Sequence, residues 1–401
     1  MSTRSIRFAI ALAFAVAVSA DSPALAQQCG GAEGFGAWLQ EFKSEAAAAG
    51  ISAGALSALD GVRFDPKVIK ADRAQAVFSQ SFLEFAGRMV ADYRMQQGRA
   101  LLQKHASTFA RIERDFGVPG PVITAFWGLE TDFGANLGEF PTLQSLATLA
   151  RDCRRPDRFR ADLIAALKLL DHGDLSPTDM KGAWAGEVGQ MQFVPTEYFA
   201  TAVDYDGDGK RNLVRSVPDV LASSAALLKK HGWQGGQPWL EEVRVPADMP
   251  WPEADLAIKH PRSQWAAWGI AKADGNALPA DGAQAALLLP MGRLGPAFLA
   301  YANFGVYTLW NESLVYATTA AYFATRLAGA PAVRRGSAAA PSRAEIKEVQ
   351  ERLKQLGHDV GGVDGIIGAN TRAAVKAVQQ QLGLPADSYP DPTFLAALRR
   401  M

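Results

Sequence analysis

A chain of 401 residues, 48% of them apolar, can build two domains or one large domain with an appendage, each around a sizeable core. Lys plus Arg and Asp plus Glu balance at 41 each, so the chain carries no global basic field and no acidic tail. Nucleic-acid binding is not expected from such a balance.

At the N-terminus, Arg4 and Arg7 precede the apolar run "FAIALAFAVAV", which is too short to span a membrane. "ALA" at Ala24 to Ala26 then offers the small residues that a signal peptidase reads. This pattern predicts export by a leader cleaved after Ala26, with a buried N-terminal helix as the competing reading. Lipid anchoring through Cys29 is disfavoured because Gln27 and Gln28 precede it. In an oxidising compartment Cys29 and Cys153 tend to become a disulfide. Spacing alone leaves two unpaired buried thiols open as the alternative.

From Phe35 to Phe116, Ala-rich amphipathic runs such as "FGAWLQEFKSEAAAAG" alternate with short breaks and read as helices. In "PGPVITAFWGLETDFG", Val122, Ile123, Phe126 and Leu129 recur at helical spacing, opened by Gly120 and Pro121 and closed near Gly134. Glu130 is the acidic residue in that apolar helix. Burial beside Trp127 and Phe133 would disfavour its ionised form, which suits a general acid near neutral pH. The plain structural alternative is a Glu that satisfies nearby backbone or Arg groups.

"RADLIAALKLLDHG" is a further helix, and "KGAWAGEVGQMQFVPTEYF" follows it. Here Gly182, Gly186 and Gly189 alternate with Trp184, Gln190, Gln192 and Phe193. Glycines allow close backbone approach, and neutral amides beside aromatics suit an uncharged, hydroxyl-rich and amide-rich ligand such as a sugar chain. No His cluster for a metal and no basic glycine loop for a phosphate is present in this stretch.

Asp204, Asp206 and Asp208 in "DYDGDGKRNLVR" have the first, third and fifth positions of an EF-hand loop, with Gly209 at its sharp turn. The twelfth position is Arg215 rather than a bidentate carboxylate. A weak structural Ca²⁺ or Na⁺ site and a plain Asx-turn are therefore both open, and no cofactor is required. After the helix "VPDVLASSAALLKKHGW", the stretch from Trp239 to about Gly295 becomes short and extended among Pro, Gly and Trp, which predicts a small lobe with β-structure. Helix returns at "SLVYATTAAYFATRLAG". "GAPAVRRGSAAAPS", Gly329 to Ser342, reads as an exposed linker. Glu345 to Leu398 then forms a compact unit of about three helices.

"GLETDFG", "PTLQSLATLARDCRR", "AGEVGQMQFVPTEY", "YDGDGKRNL" and "YTLWNESLVYA", in this order, closely resemble the lytic murein transglycosylase B family, over roughly Phe35 to Ala328. The C-terminal unit resembles a small peptidoglycan-binding module through its D-G-x-x-G-x-x-T pattern at Asp364, Gly365, Gly368 and Thr371; the same pattern also builds a tight loop and helix cap. The resemblance implies a mainly α protein: a lysozyme-like helical catalytic domain with a small α/β lobe, plus a C-terminal three-helix peptidoglycan-binding module. The implied bounds are 1–26 for the signal peptide, 27–328 for the catalytic domain, 329–342 for the linker and 343–401 for the module.

It also implies a periplasmic enzyme that cleaves peptidoglycan glycan strands between N-acetylmuramic acid and N-acetylglucosamine, leaving 1,6-anhydro ends. Glu130 would be the sole acid and base. Hydrolytic glycosidases usually use two carboxylates; here the substrate's N-acetyl group would stabilise the cationic centre and its C6 hydroxyl would close the ring. The alternatives are a hydrolytic muramidase and a non-catalytic peptidoglycan scaffold, and other cell-wall enzymes are candidate partners.

By position, Gln192 and Asn311 match substrate-contacting amides, and Trp184, Trp310 and Tyr316 fall at aromatic positions of the cleft, with core packing as the plain alternative for the last two. Arg154 and Arg155 match a pair that meets the acidic stem peptide, against a solvated helix start. Ala183 departs from the family, which commonly has Ser there. Asp132 lies off the Glu130 face, whereas Glu187, where a small residue is commoner, is either a rival second carboxylate or a solvated loop Glu.

Overall fold

The Glu130 helix runs Gly120–Thr131 and is buried almost all round: Val122 to Leu129 are all out of solvent. A helix apolar on every face belongs at the centre of a bundle, and this one packs against the helix Leu314–Leu327. Gly128 permits the approach, since a Cβ there would lie 2.8 Å from Phe133 Cζ and 2.9 Å from Phe323 Cε1. The helix stops because Asp132, Phe133 and Gly134 turn left-handed in succession, with φ of 54°, 61° and 87°. Asp132 is held in that cap by Arg94, whose Nε lies 3.0 Å from Oδ1.

The computed structural model describes residues 29–74 and 80–401. The expected leader, 1–26, lies outside the described residues. The amphipathic runs before Glu130 form the helices Phe35–Ala48, Ala53–Ser57, Pro66–Arg73, Phe82–Met89, Asp92–Lys104 and Ala106–Phe116. Cys29 and Cys153 are joined, with Cα atoms 4.8 Å apart, so the start of the described chain is stitched to the end of the helix Thr142–Arg151.

Two small sheets accompany the helices. β1 (Phe140–Pro141) pairs antiparallel with β2 (Lys181–Gly182), with Phe140 opposite Gly182. The lobe predicted after Trp239 contains β3 (Leu240–Arg244), β4 (His260–Pro261), β5 (Ala271–Lys272), β6 (Gln284–Leu288) and β7 (Ala297–Ala300). These form an antiparallel sheet in the order β4-β6-β7-β3-β5, in which Leu240 and Ala286 both face Ala300. Trp251, Trp265, Leu287 and Leu299 fill a separate core on the lobe.

Residues 329–342 carry no helix or strand. They are nonetheless strapped to the lobe: Arg334 Nε lies 3.1 Å from Glu242 Oε1, and Ser337 N donates to Leu294 O at 2.8 Å. The C-terminal module has the expected three helices, Arg343–Gln355, Ala369–Gln381 and Pro392–Leu398, around Leu353, Val375, Val378 and Phe394. Its D-G-x-x-G-x-x-T loop is tied to Gln350, which donates to Asp364 Oδ1 at 3.0 Å and accepts from Gly365 N at 2.8 Å.

Candidate active site

Glu130, at the last turn of its helix, reaches the wall of a cavity of about 1200 Å³. Two donors converge on one of its oxygens: Trp310 Nε1 donates to Oε1 at 2.8 Å, and the Tyr316 hydroxyl donates to the same atom. No partner among the described residues engages Oε2. Burial pushes the Glu130 carboxyl up to about 7; the hydrogen bonds from Tyr316 and Trp310 oppose that shift and the charge of Glu187 adds to it. Near neutrality a proton is therefore available, and it belongs on Oε2, because Oε1 is committed as an acceptor.

The donors are held rigidly. Trp310 stacks on Phe126 with ring centroids 4.3 Å apart and meets Phe193 edge-on at 5.7 Å, so it bridges the Glu130 helix and the glycine-rich loop. Trp310 also lines the cavity. Tyr316 does not: it is buried beneath the wall, and its hydroxyl serves Glu130 instead of projecting into the cleft.

Gln192, Trp184 and Asn311 all line the cavity with Glu130. Gln192 sits in a left-handed conformation, φ 49°, and its Nε2 is spent on Leu137 O at 3.0 Å and Gly189 O at 2.9 Å. Its carbonyl oxygen is the end left for a ligand. Asn311 Oδ1 accepts from Ser313 N at 2.9 Å, which leaves its amide donors free. Gln190 differs from the sequence expectation: it is buried, accepting from Trp127 Nε1 at 2.9 Å and donating to Val214 O at 2.9 Å, so it builds the loop and does not line the cavity.

The loop itself needs its glycines. A Cβ on Gly182 would fall 1.6 Å from Glu187 O, so only a bare backbone lets β2 and the loop cross. Ala183 lines the cavity and brings no hydroxyl to it.

Arg154 and Arg155 have a different engagement from the one expected. Both clamp the buried Asp72: Arg154 Nη1 lies 3.0 Å from Oδ2, and Arg155 Nη2 pairs with Oδ1. Burial alone would push the Asp72 carboxyl up, but the hydrogen bonds and charges of Arg154 and Arg155 outweigh it and hold the group below the usual carboxylate range. Only Arg155 of the pair also lines the cavity, together with Arg158 one turn further on.

Glu187 is not a solvated loop residue. It lines the cavity with Glu130, its Oε2 is buried without a partner, and desolvation raises its carboxyl above the usual range despite Arg158 nearby. Its sequence position gave the residue; its burial was hidden, because the surrounding glycines suggested an open loop. Asp132 stays out of the site, paired to Arg94.

The Asp-rich loop places Asp204 and Asp206 together, but its third carboxylate is Asp219 rather than Asp208: ligand atoms of Asp204, Asp206 and Asp219 lie within 4.8 Å of one another. Asp208 turns away to accept from Lys210 N at 2.9 Å, and Arg215 pairs with Asp179. Asp219 lies in the first turn of the helix Val217–Lys230, capped by Ser216, outside the EF-hand spacing. An all-oxygen carboxylate set is the chemistry of a hard cation.

Residues 342–398 match the peptidoglycan binding domain family. SltB3 from Pseudomonas aeruginosa, solved in complex with NAG-anhNAM-pentapeptide, superposes with a TM-score of 0.84 at 42% identity, covering 91% of this chain and 99% of that one. The Escherichia coli lytic transglycosylase Slt35, solved in complex with calcium, gives a TM-score of 0.61 at 25% identity, over 75% of this chain and 96% of that one. Membrane-bound lytic murein transglycosylase B of Escherichia coli K12 is 31% identical over 243 residues, which is 59% of this chain and spans 64% of that protein. Residues 34–325, with Glu130 and the whole glycine-rich loop, match the family model described as transglycosylase SLT domain, and the chain belongs to that family.

Proposed function

We propose that the protein is a lytic transglycosylase that cuts the β-1,4 bond between N-acetylmuramic acid and N-acetylglucosamine in peptidoglycan and leaves a 1,6-anhydro end. The observation that carries this reading is Glu130: a cavity-wall carboxyl pushed to about 7, with one oxygen fixed by Trp310 and Tyr316 and the other free. The free oxygen donates its proton to the glycosidic oxygen as the bond from C1 breaks. The substrate's N-acetyl oxygen then bonds to C1 and carries the positive charge. The C6 hydroxyl attacks C1, displaces the acetamide oxygen and returns its proton to Glu130. Trp310 and Tyr316 stabilise the carboxylate in the interval between the two transfers.

Gln192, Asn311 and Trp184 serve as the sugar-binding wall, and the C-terminal module anchors the enzyme to the polymer. Export to the periplasm, through the leader 1–26, follows from the location of that substrate. The Asp204, Asp206 and Asp219 group would hold a structural Ca²⁺ or Na⁺, with no part in the chemistry.

One observation favours a second reading, a muramidase that adds water: Glu187 supplies another carboxyl to the same cavity. Mass spectrometry of fragments released from purified sacculi separates the two. Fragments one water lighter than their reducing counterparts support the transglycosylase, and reducing ends support hydrolysis. Glu130→Gln should abolish release while sacculus binding persists; unchanged release removes Glu130 from the reaction.

A further inference from the structure

The cavity that holds Glu130 has a wall from the C-terminal module, formed by Ile366, Ile367, Ala369, Arg372 and Ala373. The module is fixed there by named contacts: Lys376 Nζ lies 2.7 Å from Asp255 Oδ2, Arg293 Nη1 lies 3.2 Å from Asp391 Oδ2, and Arg293 N donates to Asp387 Oδ2 at 2.9 Å. Arg372 stands apart from this set. Its Nη2 donates to Leu289 O at 2.9 Å, and no carboxylate among the described residues pairs with it. The acidic groups whose charge reaches it, Asp387 and Asp255, are already taken by Arg293 and Lys376.

A half-buried guanidinium that shares the cavity wall with Leu287, Leu288 and Ile367 and has no paired carboxylate among the described residues carries a desolvation cost that nothing close by offsets. Such a placement is stable where a ligand supplies the anion, and the planar fork of Arg fits a carboxylate through two parallel hydrogen bonds. Burial also holds the Arg372 pKa below its ordinary value, as a desolvated cation without a close partner requires.

We propose that Arg372 is a carboxylate receptor in the catalytic cleft, through which the C-terminal module reads an acidic group of the peptidoglycan chain being cut. The inference rests on the peptidoglycan reading above. Two parts of that polymer carry the chemistry: the stem peptide, and the lactyl carboxylate of a muramic residue that has lost its peptide.

The test compares kcat/KM of the full-length protein on peptide-bearing strands and on peptide-free strands. Arg372→Met should shift the ratio of the two values by about tenfold, the size expected for one lost charge-assisted contact. A fall in activity concentrated on peptide-bearing strands assigns the stem peptide; one concentrated on peptide-free strands assigns the lactyl group. Arg372→Lys should recover part of the shift. Asp391→Asn, which weakens a tie between the module and the lobe at a residue outside the cavity wall, should leave the ratio as it is. An unchanged ratio in Arg372→Met, whatever the overall activity, overturns the proposal. Wild-type protein that cuts neither strand would instead remove the functional reading on which it stands.

Discussion

Trp310 places its indole Nε1 2.8 Å from Oε1 of Glu130 while its ring lies on Phe126, a neighbour of Glu130 on the same helix. The donor is thus fixed to the element that carries the acid, and the two cannot drift apart independently. Trp310→Phe keeps the stacking and removes the N–H. That bond favours the charged carboxylate, so its loss should raise the Glu130 pKa further. The alkaline limb of the activity profile should move up by about one pH unit, on the usual size of a hydrogen bond to a charged group, while kcat falls because the carboxylate intermediate loses a donor. A limb that moves down would show that Trp310 does not stabilise the charged form.

Glu187→Gln should act in the opposite direction. The Glu187 charge raises the Glu130 pKa, so a neutral amide lets Glu130 ionise more readily, and the alkaline limb should move to lower pH. The products should stay anhydro-ended. A loss of reducing ends in this variant, measured by mass spectrometry, would make Glu187 the base of a water-adding side reaction.

Arg154 offers a choice between structure and substrate. Losing its contacts to the buried Asp72 should destabilise the fold by about 1–2 kcal/mol, read as a lower Tm for Arg154→Met at neutral pH. Because the Asp72 pKa is depressed in the folded state, this contribution is present above its unfolded value near 3.8 and disappears as pH falls through the folded value. The Tm gap between variant and wild type should therefore close in acid. No gap at neutral pH would return Arg154 to a surface role, and a gap that persists in acid would assign its contribution to the bond it donates to Asp72 O instead of to the carboxylate.

The sequence disclosed the helix around Glu130 because its apolar residues recur at helical spacing, and the lobe because "EEVRV" and "AALLL" carry a strand's composition between turn residues. It also brought Trp310, Tyr316 and Gln192 into view through ordered motifs. What those side chains do was less legible. Whether Tyr316 faces the cleft or Glu130 depends on a helix rotation that periodicity leaves undefined, and Arg154 reads as surface charge until Asp72 is brought to it from a distant segment. Arg372 could not be singled out, since its place in the cavity depends on how the module docks on the lobe.

The Cys29–Cys153 bond closes a separation of 124 residues, so it removes much freedom from the unfolded chain. Cys153→Ser should lower stability by about 2–4 kcal/mol, measured by denaturant unfolding of oxidised protein. The wild-type protein should approach the variant when reduced. Equal stability of oxidised and reduced wild type would mean that this stitch holds only a frayed end.

Asp204, Asp206 and Asp219 bring three carboxylates within 4.8 Å, and like charges that close repel unless something offsets them. Backbone donors offset part of it: Asp204 accepts from Gly207 N at 2.7 Å and Gly209 N at 2.8 Å, and Asp219 accepts from Tyr205 N at 2.7 Å. Asp206 has fewer such donors, and Ser216 Oγ is the hydroxyl that reaches its Oδ2. A hard cation would complete the offset, with weak affinity because Arg215 stands where a bidentate carboxylate would close the loop. Millimolar Ca²⁺ should therefore raise the Tm of the wild type, and Asp206→Asn should abolish most of that increment while leaving the helix cap at Ser216 and Asp219 intact. A Tm independent of Ca²⁺ up to about ten millimolar, beyond the weak end of such sites, would reduce the loop to a turn held by its own backbone donors.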